Sequence, residues 1–158
     1  MNASPSKQVL YKETQIFYLI IATTLGIIAL CLITYFGGYS KKTTPLAVIV
    51  FPTLILTIVT FLFYKMEITI TNDHLENSFG NKLIKRKILL SEIDVNKLQK
   101  VKFPWYYGIG LRITPQGTLY NTKVGTAIKI VSKDGQRTIL IGTDNFEKIA
   151  EVLKEKLS

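Results

Sequence analysis

The chain has 158 residues, of which 47% are hydrophobic, and 20 Lys and Arg against 11 Asp and Glu give it a net charge of +9. This length suits about one domain, and one cysteine excludes an internal disulfide framework. A basic balance favours a polyanionic partner. Because the apolar residues crowd into residues 16–64 and most charges follow them, we expect that partner to be a membrane surface and expect no nucleic acid.

The first predicted element is a membrane helix from Ile16 to Phe36, preceded by a short cytoplasmic segment over residues 1–15. The run carries no charge, and about 20 apolar residues suffice to span the hydrocarbon core. A cleaved signal peptide is the alternative, but its apolar core would hold only about 7 to 15 residues. No small-residue cleavage site follows the run, so a membrane helix is favoured.

A second uncharged run extends from Leu46 to Tyr64. Its Pro52 is compatible with a membrane helix, where neighbouring groups satisfy the freed carbonyl. The short segment from Gly37 to Pro45 is expected to be a turn, so residues 16–64 are predicted to form a transmembrane hairpin with helices 16–36 and 46–64. Two buried core helices of a soluble protein are the alternative, which is disfavoured because two uncharged runs of this length are uncommon in such folds.

Positive charge predicts the orientation of this hairpin. Lysine and arginine concentrate on the cytoplasmic side of membrane helices. The turn holds Lys41 and Lys42, whereas the flanks of the two runs hold more basic residues: Lys7, Lys12, Lys65, Lys82, Lys85, Arg86 and Lys87. We therefore expect a multi-pass protein of the inner cell membrane with both termini in the cytoplasm.

Residues 65–158 are predicted to form a β-rich cytoplasmic domain. Met66, Ile68 and Ile70 alternate with polar residues, the pattern of a half-buried strand. Similar short runs follow, and Asp134-Gly135 between two of them is a strong hairpin signal. About seven short strands separated by turns indicate a sandwich or small barrel.

The last segment is predicted to be an amphipathic helix. Asp144 with Glu147 three residues later has the spacing of a capping box. The apolar residues that follow fall on one face at helical spacing: Phe146, Ile149, Ala150, Leu153 and Leu157. This helix is expected to cover one open end of the barrel.

These elements resemble a known family. The matching stretches are ITND at 70–73, SFG at 78–80, LSEI at 90–93, YYGIGLRIT at 106–114, Gly117, Tyr120 and DGQRTILIGTDN at 134–145. Together with the helix pair they resemble the bacterial pleckstrin-homology-like (PH-like) membrane proteins. The resemblance implies a PH-like barrel with one C-terminal helix, tethered to the membrane as a binding module, and implies no particular ligand.

The residue pattern offers no catalytic or metal-binding constellation. His74 is the only histidine, and a lone histidine lacks the partners that metal or acid–base sites need; we expect an exposed turn residue. The glycines do not form a phosphate-binding loop. We therefore predict no enzyme activity, no cofactor and no metal.

Two features could bind a ligand. Lys82, Lys85, Arg86 and Lys87 form a basic cluster near the second helix, which could contact anionic lipid headgroups or be a solvated strand face that only sets topology. Trp105, Tyr106 and Tyr107 could be an interfacial anchor or ligand platform, but rings at a strand start more often cover a core.

Two functions follow from these predictions. The first is a membrane-anchored PH-like binding or scaffolding module at the inner leaflet, which contacts the bilayer, anionic lipid headgroups, or an unknown membrane or cytoplasmic protein. The alternative is an accessory subunit of a membrane transport or envelope complex. Small residues such as Ala22, Gly26 and Ala29 would support helix packing in the second case.

Overall fold

A computed structural model describes residues 8–37 and 46–157 of the chain. Within these residues, nine β-strands and three α-helices follow one another. Their bounds are β1 Val9–Ile16, α1 Tyr18–Phe36, α2 Ala47–Phe63, β2 Lys65–Thr71, β3 His74–Phe79, β4 Ile84–Leu89, β5 Gln99–Lys102, β6 Gly110–Thr114, β7 Gly117–Asn121, β8 Thr126–Val131, β9 Thr138–Gly142 and α3 Phe146–Leu157.

The strands form two sheets. The first is an antiparallel four-stranded sheet in the order β1-β2-β3-β4, and the second has five strands in the order β5-β8-β9-β7-β6. Strands β7 and β9 are parallel, whereas the other pairs of the second sheet are antiparallel. The β6–β7 hairpin therefore extends the second sheet beyond β9.

The main hydrophobic core lies between the sheets. Met66 and Ile68 of the first sheet and Ile141 of the second are fully buried in one cluster. Ile149 and Leu153 of α3 are fully buried in the same cluster. The predicted β-rich domain with a C-terminal amphipathic helix is confirmed at this level.

The start of α3 differs from the predicted capping box. Ile149 donates its backbone N–H to the Asn145 carbonyl at 3.1 Å, so Asn145 and not Asp144 directly precedes the helix. The Asp144 carboxylate is paired with Lys123, and Glu147 accepts from Lys100 at 2.7 Å. These two acidic residues tie α3 to the second sheet.

Strand β1 is the main departure from the expected domain bounds. Residues 1–15 were expected to be a separate segment and Ile16 to start a helix, but Val9–Ile16 pairs antiparallel with β2, from Val9 opposite Thr71 to Ile16 opposite Lys65. The Phe17 N–H then donates to the Tyr64 carbonyl at 2.8 Å. The β domain is thus built from two separate parts of the chain, and α1 and α2 lie between them.

The two apolar helices begin and end within two residues of their predicted bounds. Helix α1 has 19 residues and is long and apolar enough to cross a membrane, whereas α2 has 17 residues and is shorter. They contact each other through the hydroxyls of Thr24 and Thr60, which lie 2.6 Å apart. Of the expected turn, only Gly37 is described; residues 38–45 lie outside the described residues.

Candidate functional site

The candidate site is the end of the β domain from which α1 and α2 emerge, called here the helix-side end. Besides β1 and β2, the turn between β3 and β4 builds it: the Gly80 N–H donates to the Lys65 carbonyl at 2.9 Å. The Tyr64 hydroxyl donates to Asn81 Oδ1 at 2.8 Å. The turn is therefore held against the last residues of α2.

The structure separates the four predicted lipid-contact residues. Lys85 is paired with Ser78 and Lys87 with Glu76, while Arg86 between them is paired with Asn77. Since neighbouring residues of a strand point to opposite faces, Lys85 and Lys87 share the outer face and Arg86 points to the face that carries the core. Lys82 lies in the β3–β4 turn with a φ of 62°.

Glu76 engages two lysines of this cluster, Lys87 of β4 and Lys82 of the β3–β4 turn. Its carboxylate, with 10% side-chain exposure, lies 3.2 Å from Lys87 Nζ and 4.0 Å from Lys82 Nζ. Glu76 is paired with Thr69 of β2. Thr69 lies four residues after Lys65, so Glu76 is about 13 Å from the helix-side end at about 3.3 Å per residue. Lys85 is paired with Ser78 and so lies nearer to the helices than Lys87 does. Lys85 has no ion pair within the part of the chain that the structure describes.

A second carboxylate on the same face is Glu67. It lies 3.1 Å from Lys65 Nζ and 3.5 Å from Lys12 Nζ. Burial raises the pKa of Glu67, but the hydrogen bond from Lys65 and the charge of Lys12 outweigh burial and leave the pKa below its ordinary value. The hydrogen bond to Glu67 likewise raises the pKa of Lys65, so both groups are held in their charged forms.

The outer face and its adjoining turn are therefore basic around two central carboxylates. Five lysines surround the two glutamates. They are Lys12, Lys65, Lys82, Lys85 and Lys87. Lys65, Lys82 and Lys85 lie closest to the helices. This arrangement can attract anionic groups at the helix-side end.

Arg86 belongs to a different surface. It lines a cavity of about 500 Å³ together with Arg137 and Tyr120, and none of the residues that line this cavity is acidic. Burial raises the pKa of the Tyr120 hydroxyl, and the positive charge of Arg86 opposes that rise. Arg86 thus lies between the sheets and does not join the lysines of the outer face.

His74 differs from its expected place at an exposed turn. It is the first residue of β3 and is 8% exposed. The Thr71 hydroxyl lies 3.1 Å from His74 Nδ1, and Glu76 lies 3.9 Å from Nε2. Within residues 8–37 and 46–157, no group of three or more His, Cys, Asp or Glu side chains could hold a metal ion.

The aromatic run also differs from its prediction. Residues Trp105–Tyr107 form a 3₁₀ turn that Gly108, with a φ of 73°, ends. Trp105 is 78% exposed and Tyr106 69% exposed, whereas Tyr107 packs against a small core cluster of the second sheet. The expectation that these rings cover the core is therefore wrong for Trp105 and Tyr106.

A charge pattern could have pointed to this region. Residues 95–133 contain no Asp or Glu, and seven basic residues lie among them: Lys97, Lys100, Lys102, Arg112, Lys123, Lys129 and Lys133. Arg112 reaches back toward the aromatic run, because its Nε lies 3.6 Å from where a Cβ on Gly108 would be. Lys97, Lys100 and Lys123 have acidic partners in space, so the basic residues that accompany the exposed rings without an ion pair in the described ranges include Lys102 and Arg112.

No protein-family model, curated protein or solved structure matches the chain at a significant level.

Proposed function

We propose that the chain is a membrane-anchored binding or scaffolding module at the cytoplasmic face of the inner membrane. Helices α1 and α2 cross the bilayer as a hairpin, and the β domain with α3 is a PH-like domain. The observation that carries the proposal is the junction between them. Ile16 is paired with Lys65, and the Phe17 N–H donates a hydrogen bond to the Tyr64 carbonyl at 2.8 Å. No linker separates the strands from the helices, so the domain must lie at the membrane surface.

The exposure of the helices supports the bilayer crossing. Thr24 is the only buried residue of α1, and α2 has none. Large apolar side chains such as Leu25 and Phe51 are 61% and 66% exposed, and a lipid environment removes the cost of hydrating them. At about 1.5 Å per residue the helices approach the roughly 30 Å of the hydrocarbon core.

The order of the strands in the two sheets supports a PH-like domain. If the β6–β7 hairpin is set aside, seven strands in two sheets remain, followed by a C-terminal helix on the core. The first four strands form a simple antiparallel succession. The β6–β7 hairpin and its parallel contact with β9 are additions to that layout.

The lysines nearest the helices support contact with anionic headgroups. A basic residue close to such a surface contributes about 1 kcal/mol, and the attraction acts within a Debye length of roughly 8 Å at physiological salt. Lys65, Lys82 and Lys85 lie at or next to the helix-side end. Lys87 lies two residues farther along β4 than Lys85, and Arg86 faces away, so these two contribute least to the contact.

Site-specific labelling tests the hairpin and its orientation. Cys31 is the only cysteine, so a Cys31→Ser background accepts one new cysteine at Ser40, in the segment between the helices, or at Lys133, in the β domain. A membrane-impermeant maleimide should label the Ser40→Cys variant in intact cells and the Lys133→Cys variant only after the membrane is opened. Labelling of both variants from outside would contradict the proposal.

A further inference from the structure

We infer that the 3₁₀ turn Trp105–Tyr107, called here the aromatic turn, is a second membrane contact. Trp105 and Tyr106 enter the headgroup region of the leaflet from which α1 and α2 emerge. This inference rests on the proposed function, because only a chain anchored by these helices has a defined leaflet beside the turn.

The first argument is the position of the start of β6. Phe17, Ile20, Val59 and Phe63 line one cavity of about 330 Å³ together with Ile109, Gly110, Leu111 and Arg112. Ile20 lies in the first turn of α1, and Val59 lies one turn before the end of α2. The chain at residues 109–112 therefore lies along the helix pair.

The aromatic turn is close to this cavity. Tyr107 precedes Ile109 by two residues, which is at most about 8 Å because consecutive Cα atoms are about 3.8 Å apart. The Gly108 N–H donates to the Trp105 carbonyl at 3.1 Å, which keeps the turn tight. Since Tyr107 packs on the domain, the turn is fixed beside the helices while the two preceding rings remain exposed.

The second argument is the chemistry of the exposed rings. Tryptophan and tyrosine favour the headgroup level, where the ring is desolvated and its polar atom stays hydrated. Tyr18 and Leu19 at the start of α1 are 72% and 63% exposed. Exposed apolar side chains therefore occur both at the start of the proposed anchor and on the turn.

The third argument is the charge around the turn. Lys102 and Arg112 flank it, and within residues 8–37 and 46–157 neither forms an ion pair, whereas the acidic residues Asp144 and Glu147 are engaged by Lys123 and Lys100. Arginine and lysine next to interfacial aromatic rings are common anchors at membrane boundaries. An anionic bilayer is thus the occupant that satisfies both the rings and the basic residues.

The test uses the native chromophore, because Trp105 is the only tryptophan of the chain. The full chain is reconstituted into phosphatidylcholine–phosphatidylglycerol vesicles that contain lipids brominated either near the headgroup or near the end of the acyl chain. Trp105 should emit at shorter wavelength than in water and should lose most of its fluorescence to the shallow bromine. The deep bromine should quench it much less.

A second tryptophan position provides the matched control. Gln136 is exposed in the β8–β9 turn, six residues from Gly142, whose carbonyl is bonded to Gln15 at the helix-side end. This separation is about 20 Å along the strand. The double variant Trp105→Phe and Gln136→Trp should show water-like emission and no quenching by either lipid.

The outcomes separate the two proposals. A chain that floats with vesicles after alkaline extraction, yet has a water-exposed Trp105, would overturn the aromatic contact and leave the helix anchor intact. A chain that does not float with vesicles would overturn the anchor itself. Equal quenching at Trp105 and at the Gln136 position would also overturn the inference, because the signal would then not report proximity to the helices.

Discussion

Glu67 illustrates how single residues hold the outer face of the first sheet. Its side chain is 9% exposed and lies between Lys65 and Lys12. Burial raises the pKa of Glu67, but the hydrogen bonds and positive charges of the two lysines lower it by more, so the pKa lies below its ordinary value of 4.5. A lowered pKa in the folded state contributes stability above pH 4.5 that is lost as the pH falls through the folded pKa.

The first prediction concerns this carboxylate. Glu67→Gln should lower the free energy of unfolding near pH 7 by about 1 kcal/mol, a modest value because Lys12 remains open to water. It should also weaken the acid dependence, since the amide that replaces the carboxylate has no charge to lose. Thermal unfolding of the detergent-solubilised chain at pH 7 and below pH 4 measures both effects.

Glu151 provides the control for acid unfolding. It is exposed on α3, so Glu151→Gln should keep the parent's stability and its acid dependence. An equal loss of melting temperature on acidification in the parent and in Glu67→Gln would show that the Glu67 pairs do not stabilise the fold.

At the scale of elements, the close contact between the β3–β4 turn and α2 couples the domain to its helices. Gly80 has a φ of 60°, and an added Cβ would lie 2.8 Å from the Leu62 carbonyl oxygen and 3.0 Å from that of Phe61. Those oxygens belong to the backbone of a helix and cannot rotate away. Glycine is required here by both the backbone conformation and the lack of space.

The second prediction compares two glycines. Gly80→Ala should destabilise the chain by about 2 to 5 kcal/mol, because left-handed strain of about 1 to 2 kcal/mol adds to the cost of overpacking, about 1 to 3 kcal/mol. Gly135 has a φ of 72° but open space where a Cβ would lie. Gly135→Ala should therefore lose only the free energy of the left-handed strain, about 1 to 2 kcal/mol. Melting temperatures in detergent measure the difference, and equal losses would contradict a tight turn–helix contact.

Most strands and α3 could be predicted because their apolar residues recur with a clear period, whereas α1 and α2 could be predicted because each lies in a long uncharged run. Strand β1 could not, because Leu10 and Tyr11 pack against the core but the inward-facing residues that follow them, Glu13 and Gln15, are polar. Glu13 accepts hydrogen bonds from Gln15 and Thr143 at 2.7 and 2.9 Å, so the strand shows no hydrophobic alternation. Its partner β2 also lies beyond both helices, and a single sequence carries no signal for such distant pairing.

The candidate site was only partly predictable for a related reason. The alternation that places Lys85 and Lys87 on one face is local and agrees with the observed register. The ion pairs that engage Lys82 and Lys87 depend on Glu76 of a neighbouring strand. The exposure of Trp105 depends on a 3₁₀ turn where periodicity indicated a strand.

At the scale of the whole molecule, the β domain consists of residues 9–16 and 65–157. A fragment that starts at Lys65 lacks β1 and leaves the edge of β2 unpaired. An unpaired edge invites association with other chains. A soluble form of the domain must therefore retain β1.

The third prediction follows from the pairing of Ile16 with Lys65. Replacing residues 17–64 with Asn-Gly, a sequence suited to two-residue hairpin turns, should yield a soluble, monomeric β domain. Circular dichroism and gel filtration measure its folding and its size, with the fragment 65–158 as the comparison. A fragment that is as stable and as monomeric as the linked form would contradict an essential role for β1.

The same soluble form tests the basic end of the domain. It should bind phosphatidylserine vesicles weakly, and salt should abolish the binding. Lys82→Glu with Lys85→Glu should remove binding, whereas the control pair Lys148→Glu and Lys154→Glu on the exposed face of α3 should retain most of it. Equal loss in both pairs would show that net charge, and not the helix-side end, governs the attraction.

The pairing of β1 with β2 also has a consequence for the order of biosynthesis. During translation β1 leaves the ribosome before α1 and α2, and its partner leaves only after them. If the helices insert as proposed, their packing brings the two strand ends together and removes most of the cost of closing so long a loop. Under that proposal the first sheet is completed most readily in chains whose hairpin has inserted, so pairing of β1 with β2 would follow insertion into the membrane.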